Sequence, residues 1–356
     1  MPAADLDPAP GIDLGAMFGA FADRRQIALA VSGGADSLAL MLLAGRWREG
    51  QGGAPELLVM TVDHGLRDGS SAEAAFVERE ALRLGLRHLT LRWEGAKPDT
   101  GIEEAAREAR YRLLVDACRS ESIADLLTAH HQDDQAETVL MRLGRGSGVT
   151  GLAGMRRARD LGDGVTLHRP LLDMAKAELA DVVDEAGIVP VDDSSNADLR
   201  FARPRLRSIA SALTAAGIEK AGIARAAERL GQADEALDYA VAQFLEEASR
   251  IDSKGGAWLD RRHFRAVPAA IRQRALARLL AAAGGRAWPP VRQARLESLV
   301  TALIEDSDFV RTLGGAVVQT RGDDVVIARE AGRAGGGNPN RSRSEAEPMV
   351  SADRIG

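Results

Sequence analysis

"LAVSGGADSLAL", residues 29–40, decides how this chain is read. An apolar run that reads as a strand gives way to Ser32, Gly33 and Gly34, then to Asp36 and Ser37, after which an apolar pattern resumes with helical spacing. A strand that turns through Ser-Gly-Gly into a helix leaves several unpaired backbone N–H groups aimed at one spot, where the helix dipole also favours negative charge. Glycines let an anion approach that backbone with no Cβ in the way, and Ser32 and Ser37 add hydroxyl donors. The pattern is that of a phosphate cradle. Asp36 inside it would repel a phosphate unless a divalent cation stood between them, so Mg²⁺ is expected, with Asp36 as its ligand. The plainer alternative is a strand-to-helix turn in which Asp36 is an ordinary cap. No lysine follows the glycines and no G-x-x-x-x-G-K-[ST] occurs, so this is not the common P-loop. The lone G-x-G-x-x-G over 146–151 follows a helical pattern rather than a strand, which argues against a dinucleotide fingerprint.

Outward from this stretch, short apolar runs alternate with helical patterns, as in a parallel α/β sheet. Strands are expected at 27–31, 57–62, 88–93, 123–128 and 165–171, and helices at 36–48, 71–84, 102–120, 132–143 and 174–185. From 206 to 280 the chain is rich in alanine and arginine at helical spacing. A further helix is expected over 290–304, and "GGAVVQTRGDDVVIARE" places two β-rich runs around Arg321-Gly322-Asp323-Asp324, a hairpin. The expected fold is α/β: a five-stranded parallel sheet with helices on both faces, followed by an α-helical second domain and a small β-hairpin. The boundaries expected are an extension over 1–24, the α/β domain over 25–207, the helical domain over 208–330, and a tail over 331–356 whose lack of apolar periodicity predicts disorder.

A length of 356 residues suits two or three domains. The longest apolar stretches fall short of the ~20 residues that span a bilayer, and the N-terminus carries acids and prolines, so no membrane partner and a cytoplasmic location are expected. The single cysteine, Cys118, excludes a disulfide framework and a cysteine-based metal or cluster site within one chain. Beside Leu114 and Val115 it reads as a packed core residue rather than a reactive thiol. The net charge of −6 hides an uneven distribution: between Arg261 and Arg295 there are nine arginines and no acid. A positive face suited to RNA is expected there, with Trp258 and Trp288 available for stacking or for burial.

"TAHHQDDQAETVLMRLGRGSGVTGLAGM", 128–155, packs two histidines, two aspartates and a glutamate into the turns after the fourth strand. On a helix from 132, Asp134 and Glu137 share a face and Asp133 is turned away. Paired carboxylates hold an ammonium or help bind a metal; an acid-rich, solvated helix start is the alternative. His130 and His131 either meet phosphates or pack structurally. The composition of 144–154 predicts a mobile loop. "DDSSNADLRFARPRLR", 192–207, joins an acidic turn to Arg200, Arg203, Arg205 and Arg207, which suits a phosphate backbone or a solvated domain boundary.

Ser32-Gly33-Gly34-Ala35-Asp36-Ser37 resembles the SGGxDS signature of the N-type ATP pyrophosphatases, which split ATP between its α and β phosphates. The segments HHxDDxxET, RGSGxxGLxGM, Arg169-Pro170-Leu171-Leu172 and a D-x-S-N-x-D block followed by alternating arginines occur in order. Over about residues 25–210 these make the chain similar to the tRNA(Ile)-lysidine synthase family. The family usually has asparagine where this chain has Pro204.

That resemblance implies an adenine nucleotide alpha hydrolase-like fold with a PP-loop catalytic domain and a tRNA-binding helical domain. It implies an enzyme that uses ATP, Mg²⁺ and L-lysine to convert the wobble cytidine of tRNA(Ile) with a CAU anticodon into lysidine. Carried over by position, nucleotide contacts fall on Ser32, Gly33, Gly34, Asp36, Ser37, Asp63, His64, His130, Arg145, Gly146, Ser147 and Gly148. Asp36 would hold the metal, Asp134 and Glu137 would grip the lysine, and Arg200, Arg203, Arg205 and Arg207 would meet the tRNA. Arg110, in "AREARYRLL", matches a family position that steadies the adenylate, although a helix-surface arginine is an equal reading. The oligomeric state stays open, a homodimer included. The rivals are a tRNA thiolase, which generally uses cysteines that this chain lacks; an ammonia-using synthetase, which has no need of the arginine tract; and a non-catalytic nucleotide-sensing RNA-binding module.

Overall fold

The computed structural model describes residues 11–53, 55–66, 69–95, 97–98, 100–191, 210–252, 256–284, 292–305 and 309–330. Arg200, Arg203, Pro204, Arg205, Arg207, Trp288 and the expected tail lie outside these residues. Two compact units divide the chain, Met1–Asp234 and Glu235–Gly356.

In the first unit the strands are β1 (Gln26–Ala30), β2 (Glu56–Asp63), β3 (Arg87–Arg92), β4 (Asp125–Leu127), β5 (Ala158–Asp160) and β6 (Thr166–His168). The five expected strands all form and run parallel in the order β3-β2-β1-β4-β6. The sheet nevertheless has six strands, because β5 adds an antiparallel edge beside β6. All three of its residues, Ala158, Arg159 and Asp160, are exposed, so it carries no apolar alternation to announce it.

Helices α1 (Leu14–Phe18), α2 (Ala35–Gly50), α3 (Ser70–Arg83), α4 (Ile102–Ser120), α5 (Gln132–Gly144), α6 (Val149–Leu152), α7 (Lys176–Glu185), α8 (Ala210–Ala215) and α9 (Lys220–Ala248) follow in chain order. β2 shows why the strands read as continuous apolar runs. Leu57 and Val59 pack into the core beneath α2, whereas Leu58 and Met60 pack beneath α4 with Leu114 and Cys118. A strand covered on both faces loses the polar half of its alternation, and each such side chain contributes about 1.5–3 kcal/mol of burial. α2 is buried continuously from Ser37 to Trp47, with β1, α1 and α7 packed against it.

β1 connects outward to β2 and β3, and the chain then returns to place β4 and β6 on β1's other side. The strand order therefore reverses between β1 and β4, the position at which open α/β sheets bind ligands outside the C-terminal ends of their strands.

The second unit holds α10 (Arg261–Ala266), α11 (Ala269–Gly284) and α12 (Gln293–Glu305), together with β7 (Ser249–Ile251), β8 (Ala257–Asp260), β9 (Val310–Leu313), β10 (Ala316–Arg321) and β11 (Asp324–Arg329). The expected hairpin forms from β10 and β11, with Arg321 opposite Asp324. It is the centre of a larger antiparallel sheet, β7-β8-β11-β10-β9, whose outer strands are too short to show a period. Phe264, Leu276, Leu280 and Leu303 pack against Val318 and Ile327 to form its core.

Within the tract expected to form a positive face, several arginines have partners, while Arg262, Arg265, Arg292 and Arg295 are exposed. Arg261 is buried and its Nε donates to Leu303 O at 2.9 Å, while Arg265 donates to Ile304 O, so two arginines cap the last carbonyls of α12. Arg274 and Arg278 both close on Asp238 Oδ1, at 3.0 and 2.9 Å, and Arg262 lies 3.5 Å from Asp323. The tract lacks acids in sequence, yet α9 and the hairpin turn bring them in space. Among the described residues no helix is long and apolar enough to cross a membrane.

Candidate active site

The stretch that opens the reading sits where β1 meets α2. Gly34 is the N-cap of α2 in an extended conformation, with no side chain capping it, so the first N–H groups of the helix face outward unsatisfied by the helix itself. Ser37 Oγ accepts from Ser32 N at 3.1 Å and donates to Gly34 O at 2.9 Å. That hydroxyl is buried and fastens the turn, whereas Ser32 is exposed at its mouth. Gly33 has φ +90°, and a Cβ there would lie 3.3 Å from the Cγ2 atoms of both Val77 and Val191, so a side chain is both strained and crowded. At Gly34 a Cβ would meet nothing within 4 Å among the described residues, so these leave that side of the turn open.

Because β1 and β4 are neighbours, α2 and α5 begin side by side. His131 joins them. It is buried, and its Nε2 lies 3.4 Å from both Asp36 Oδ2 and Asp134 Oδ2. Its Nδ1 accepts from Asp133 N at 3.2 Å, capping α5, and Asp134 Oδ2 accepts from His131 N at 3.3 Å to complete a capping box. Nδ1 as an acceptor puts the imidazole proton on Nε2, between the two carboxylates. Burial disfavours the charged imidazolium, but the carboxylates of Asp36, Asp134 and Asp133 outweigh it and raise the His131 pKa above its ordinary value.

Glu137 lies one turn beyond Asp134 and is buried. Asp133, turned away from that pair, is not solvated: Oδ1 accepts from Lys176 N at 3.1 Å and Oδ2 pairs with Lys220. Burial would raise its pKa, and the bonds from Lys220 and Lys176 N prevail and hold it low. His130 Nδ1 lies 3.0 Å from Thr128 Oγ1 at the end of β4.

A cleft of about 520 Å³ opens beside the turn, lined by Ser32, Thr61, His64, Glu73, Arg107 and Arg110 among others. His64 Nε2 accepts from Arg110, 3.2 Å from Nη2 and 3.4 Å from Nε. Burial first, and then the Arg110 charge, push the His64 pKa down to about 4, so the ring is neutral at physiological pH. Asp63 is spent differently. Its carboxylate accepts from Gly65 N at 3.0 Å, Ser70 Oγ at 2.6 Å and Ser71 Oγ at 2.8 Å, which fixes the loop carrying His64. The Ser70 bond is the largest cause holding its pKa low.

The glycine-rich segment after α5 is tied down, contrary to its composition. Arg142 Nη1 donates to Gly151 O and Gly154 O at 2.8 and 2.7 Å. The Gln135 amide bonds Met155 at both N and O. Gly154 has φ +66°, and a Cβ there would lie 2.5 Å from Gln135 Oε1. Thr150 and Arg156 close on Asp234 of α9, which is 1 % exposed. Arg145, Gly146, Ser147 and Gly148 sit at the start of this segment, with Arg145 as the C-cap of α5 and Gly148 as the N-cap of α6.

Sequence reasoning missed three features: the linking role of His131, the burial of Asp133, and Asp234. The first had a signal, a histidine placed just before a helix with an acid three residues on, the spacing of a capping box. The others depend on residues far away in sequence.

For a cation, the oxygen donors Asp36 and Asp134 converge from two helix starts. Among the described residues no group of three or more His, Cys, Asp or Glu side chains is arranged to hold a metal by itself. This donor set fits Mg²⁺, which commonly takes one or two carboxylates and completes its shell with substrate phosphates and water.

A PP-loop domain model matches residues 12–213. The tRNA(Ile)-lysidine synthase of Rhodopseudomonas palustris is 45% identical over 322 residues, 87% of this chain and 92% of that protein. The enzyme of the same name from Bradyrhizobium diazoefficiens is 41% identical, covering 91% of this chain and 95% of its own. That of Orientia tsutsugamushi is 32% identical, with 89% and 72% covered. Among solved structures, the U34-tRNA thiolase NcsA from Methanococcus maripaludis aligns with a TM-score of 0.51 at 18% identity, covering 61% of this chain and 78% of that one, a likeness of fold alone.

Proposed function

This chain belongs to the tRNA(Ile)-lysidine synthases of the PP-loop family, and from that premise we propose that it ligates L-lysine to C2 of the wobble cytidine of tRNA(Ile) with a CAU anticodon, at the expense of ATP. The observation that carries this reading is the junction of Asp36, His131 and Asp134, which sets a phosphate-binding turn against paired acids. Phosphate and ammonium chemistry thereby share one site.

The nucleotide's phosphates dock on the turn from Ser32 to Ser37. The outward N–H groups of α2 face the charge that builds on the departing pyrophosphate, where preorganised donors contribute most. Mg²⁺, when bound at Asp36, neutralises phosphate charge there. The cytidine O2 attacks the α-phosphorus, pyrophosphate leaves, and the base is held as its adenylate. The lysine ε-amine then forms the C–N bond at C2, and the C2–O bond breaks as AMP departs.

Asp134 and Glu137 hold the ammonium, and a base must remove a proton from it, because a protonated amine carries no lone pair for attack. Arg110, kept beside neutral His64, meets the adenylate in this reading. On the same reading Arg145, Gly146, Ser147, Gly148 and His130 contact the nucleotide, and Arg200, Arg203, Arg205 and Arg207 contribute charge toward the tRNA. In this reading 25–207 is the catalytic domain and 208–330 the tRNA-binding one.

One incubation tests the proposal: protein, MgATP, labelled lysine and bulk bacterial tRNA. Label entering the CAU-anticodon tRNA with one AMP released per lysine is the expected result. AMP without label in tRNA would point to a small-molecule ligase, and neither product to a binding module.

A further inference from the structure

Arg169 directly follows β6 at the C-terminal edge of the sheet and is 5% exposed. Its Nη1 donates to Arg156 O and its main-chain N–H to Arg157 O, at 2.5 and 2.8 Å. Its Nε is buried with no hydrogen-bond partner among the described residues. The charges acting on it are further cations: after burial, the largest cause, Arg159, Arg107 and Arg142 lower its pKa, against an opposite pull from Tyr111. No carboxylate forms an ion pair with it among the described residues. A buried cation without a counter-charge is costly, and the cost is relieved when an anion arrives. The fork of a guanidinium matches phosphate oxygens in particular.

Topology gives the position. β6 pairs with β4 and β4 with β1, so Arg169 stands two strands across from the phosphate turn, on the order of 10 Å away at ~4.8 Å per strand. Leu167, two residues earlier, packs into the core beneath α4, and alternation puts Arg169 on that same face. There α4 carries Arg107, whose guanidinium lies 5.1 Å from the Tyr111 ring centroid and which also lines the cleft. Arg142 reaches the region from α5, anchored on Gly151 O and Gly154 O.

We propose that Arg169, flanked by Arg107 and Arg142, seats a backbone phosphate of the RNA substrate, at a position distinct from the turn that holds the nucleotide. The separation from that turn favours a phosphodiester over the nucleotide's own phosphates, and the choice of RNA rests on the reading given above. The seat would fix the strand that carries the reacting base, so Arg169 acts on RNA binding rather than on the phosphorus chemistry.

The test is filter binding of the full-length protein to an unmodified tRNA(Ile) transcript over a range of KCl concentrations, with MgATP binding measured separately without RNA. Arg169→Met is expected to weaken RNA binding about tenfold and to reduce the slope of log affinity against log salt by about one, with ATP affinity unchanged. Arg107→Gln, at an exposed position, is expected to move both quantities the same way by a few-fold. RNA affinity and slope at wild-type values would overturn the seat, and Arg107→Gln decides this alone if Arg169→Met does not fold. Lost ATP binding with RNA binding retained would assign the charge to the nucleotide and equally overturn it. The underlying reading fails by a different result, the absence of lysine in the tRNA.

Discussion

The phosphate turn with the start of α5, and the arginine tract of the second unit, each carry functional-looking charge in sequence, and they use it in different ways. In the first, Asp36, Asp134 and the imidazole of His131 gather where the strand order reverses. In the second, Arg261 and Arg265 cap a helix end, and Arg274 and Arg278 share Asp238. Density of charge in sequence therefore does not report charge available to a ligand. What decides is which groups the fold brings from elsewhere: α9 supplies Asp238 to the arginines, whereas at the strand switch Asp36 and Asp134 face one imidazole between them.

Substitutions sharpen this contrast, the largest expected effect being on chemistry in the first region. Asp36→Ala should lower pyrophosphate release at least about 10³-fold, since it removes the carboxylate nearest the docked phosphates, while thermal melting stays near wild type. Glu137→Ala should instead raise the lysine concentration needed for half-maximal rate about tenfold and leave adenylation at saturating lysine largely intact. Equal loss of adenylation in the two variants would break the division between phosphate and ammonium duties.

In the second region the large effect should fall on stability. Arg261→Leu removes a buried donor from the last carbonyls of α12, at a cost of about 1–3 kcal/mol, to be read as a lower denaturant midpoint. Arg274→Gln with Arg278→Gln should change RNA affinity less than about twofold, a phosphate contact being worth more. A large loss of RNA binding in that double variant would return the tract to the role its composition suggests.

A smaller effect is set by pH. The folded protein holds His64 at about 4 against an ordinary 6.5, so the unfolded chain takes up a proton that the native state refuses. That contribution to stability is present above pH 6.5, is lost progressively as pH falls toward 4, and changes no further below. His64→Asn should flatten the stability curve over that window, as measured by urea titration at successive pH values.

The parallel sheet was legible because strands buried on both faces declare themselves as apolar runs, and Leu57 to Met60 are as plain in the sequence as in the core. β5 was not, since Ala-Arg-Asp on an exposed edge has no period. The phosphate turn was legible from Gly33 and Gly34, whose geometry forbids or leaves open a side chain. The role of His131 was half legible: its capping box is local, but its grip on Asp36 arises because β4 lies beside β1, a pairing across about a hundred residues. Asp133, Asp234 and Asp238 were illegible for the same reason, each meeting its partner from a distant segment.

The central claim, that the nucleotide's phosphates bind the β1–α2 turn against the acidic start of α5, is tested most directly by amide hydrogen exchange with and without MgATP. The account predicts new protection concentrated at residues 32–38, with a lesser effect at 130–137. Protection confined to the second unit, or an unchanged turn at saturating nucleotide, would contradict it.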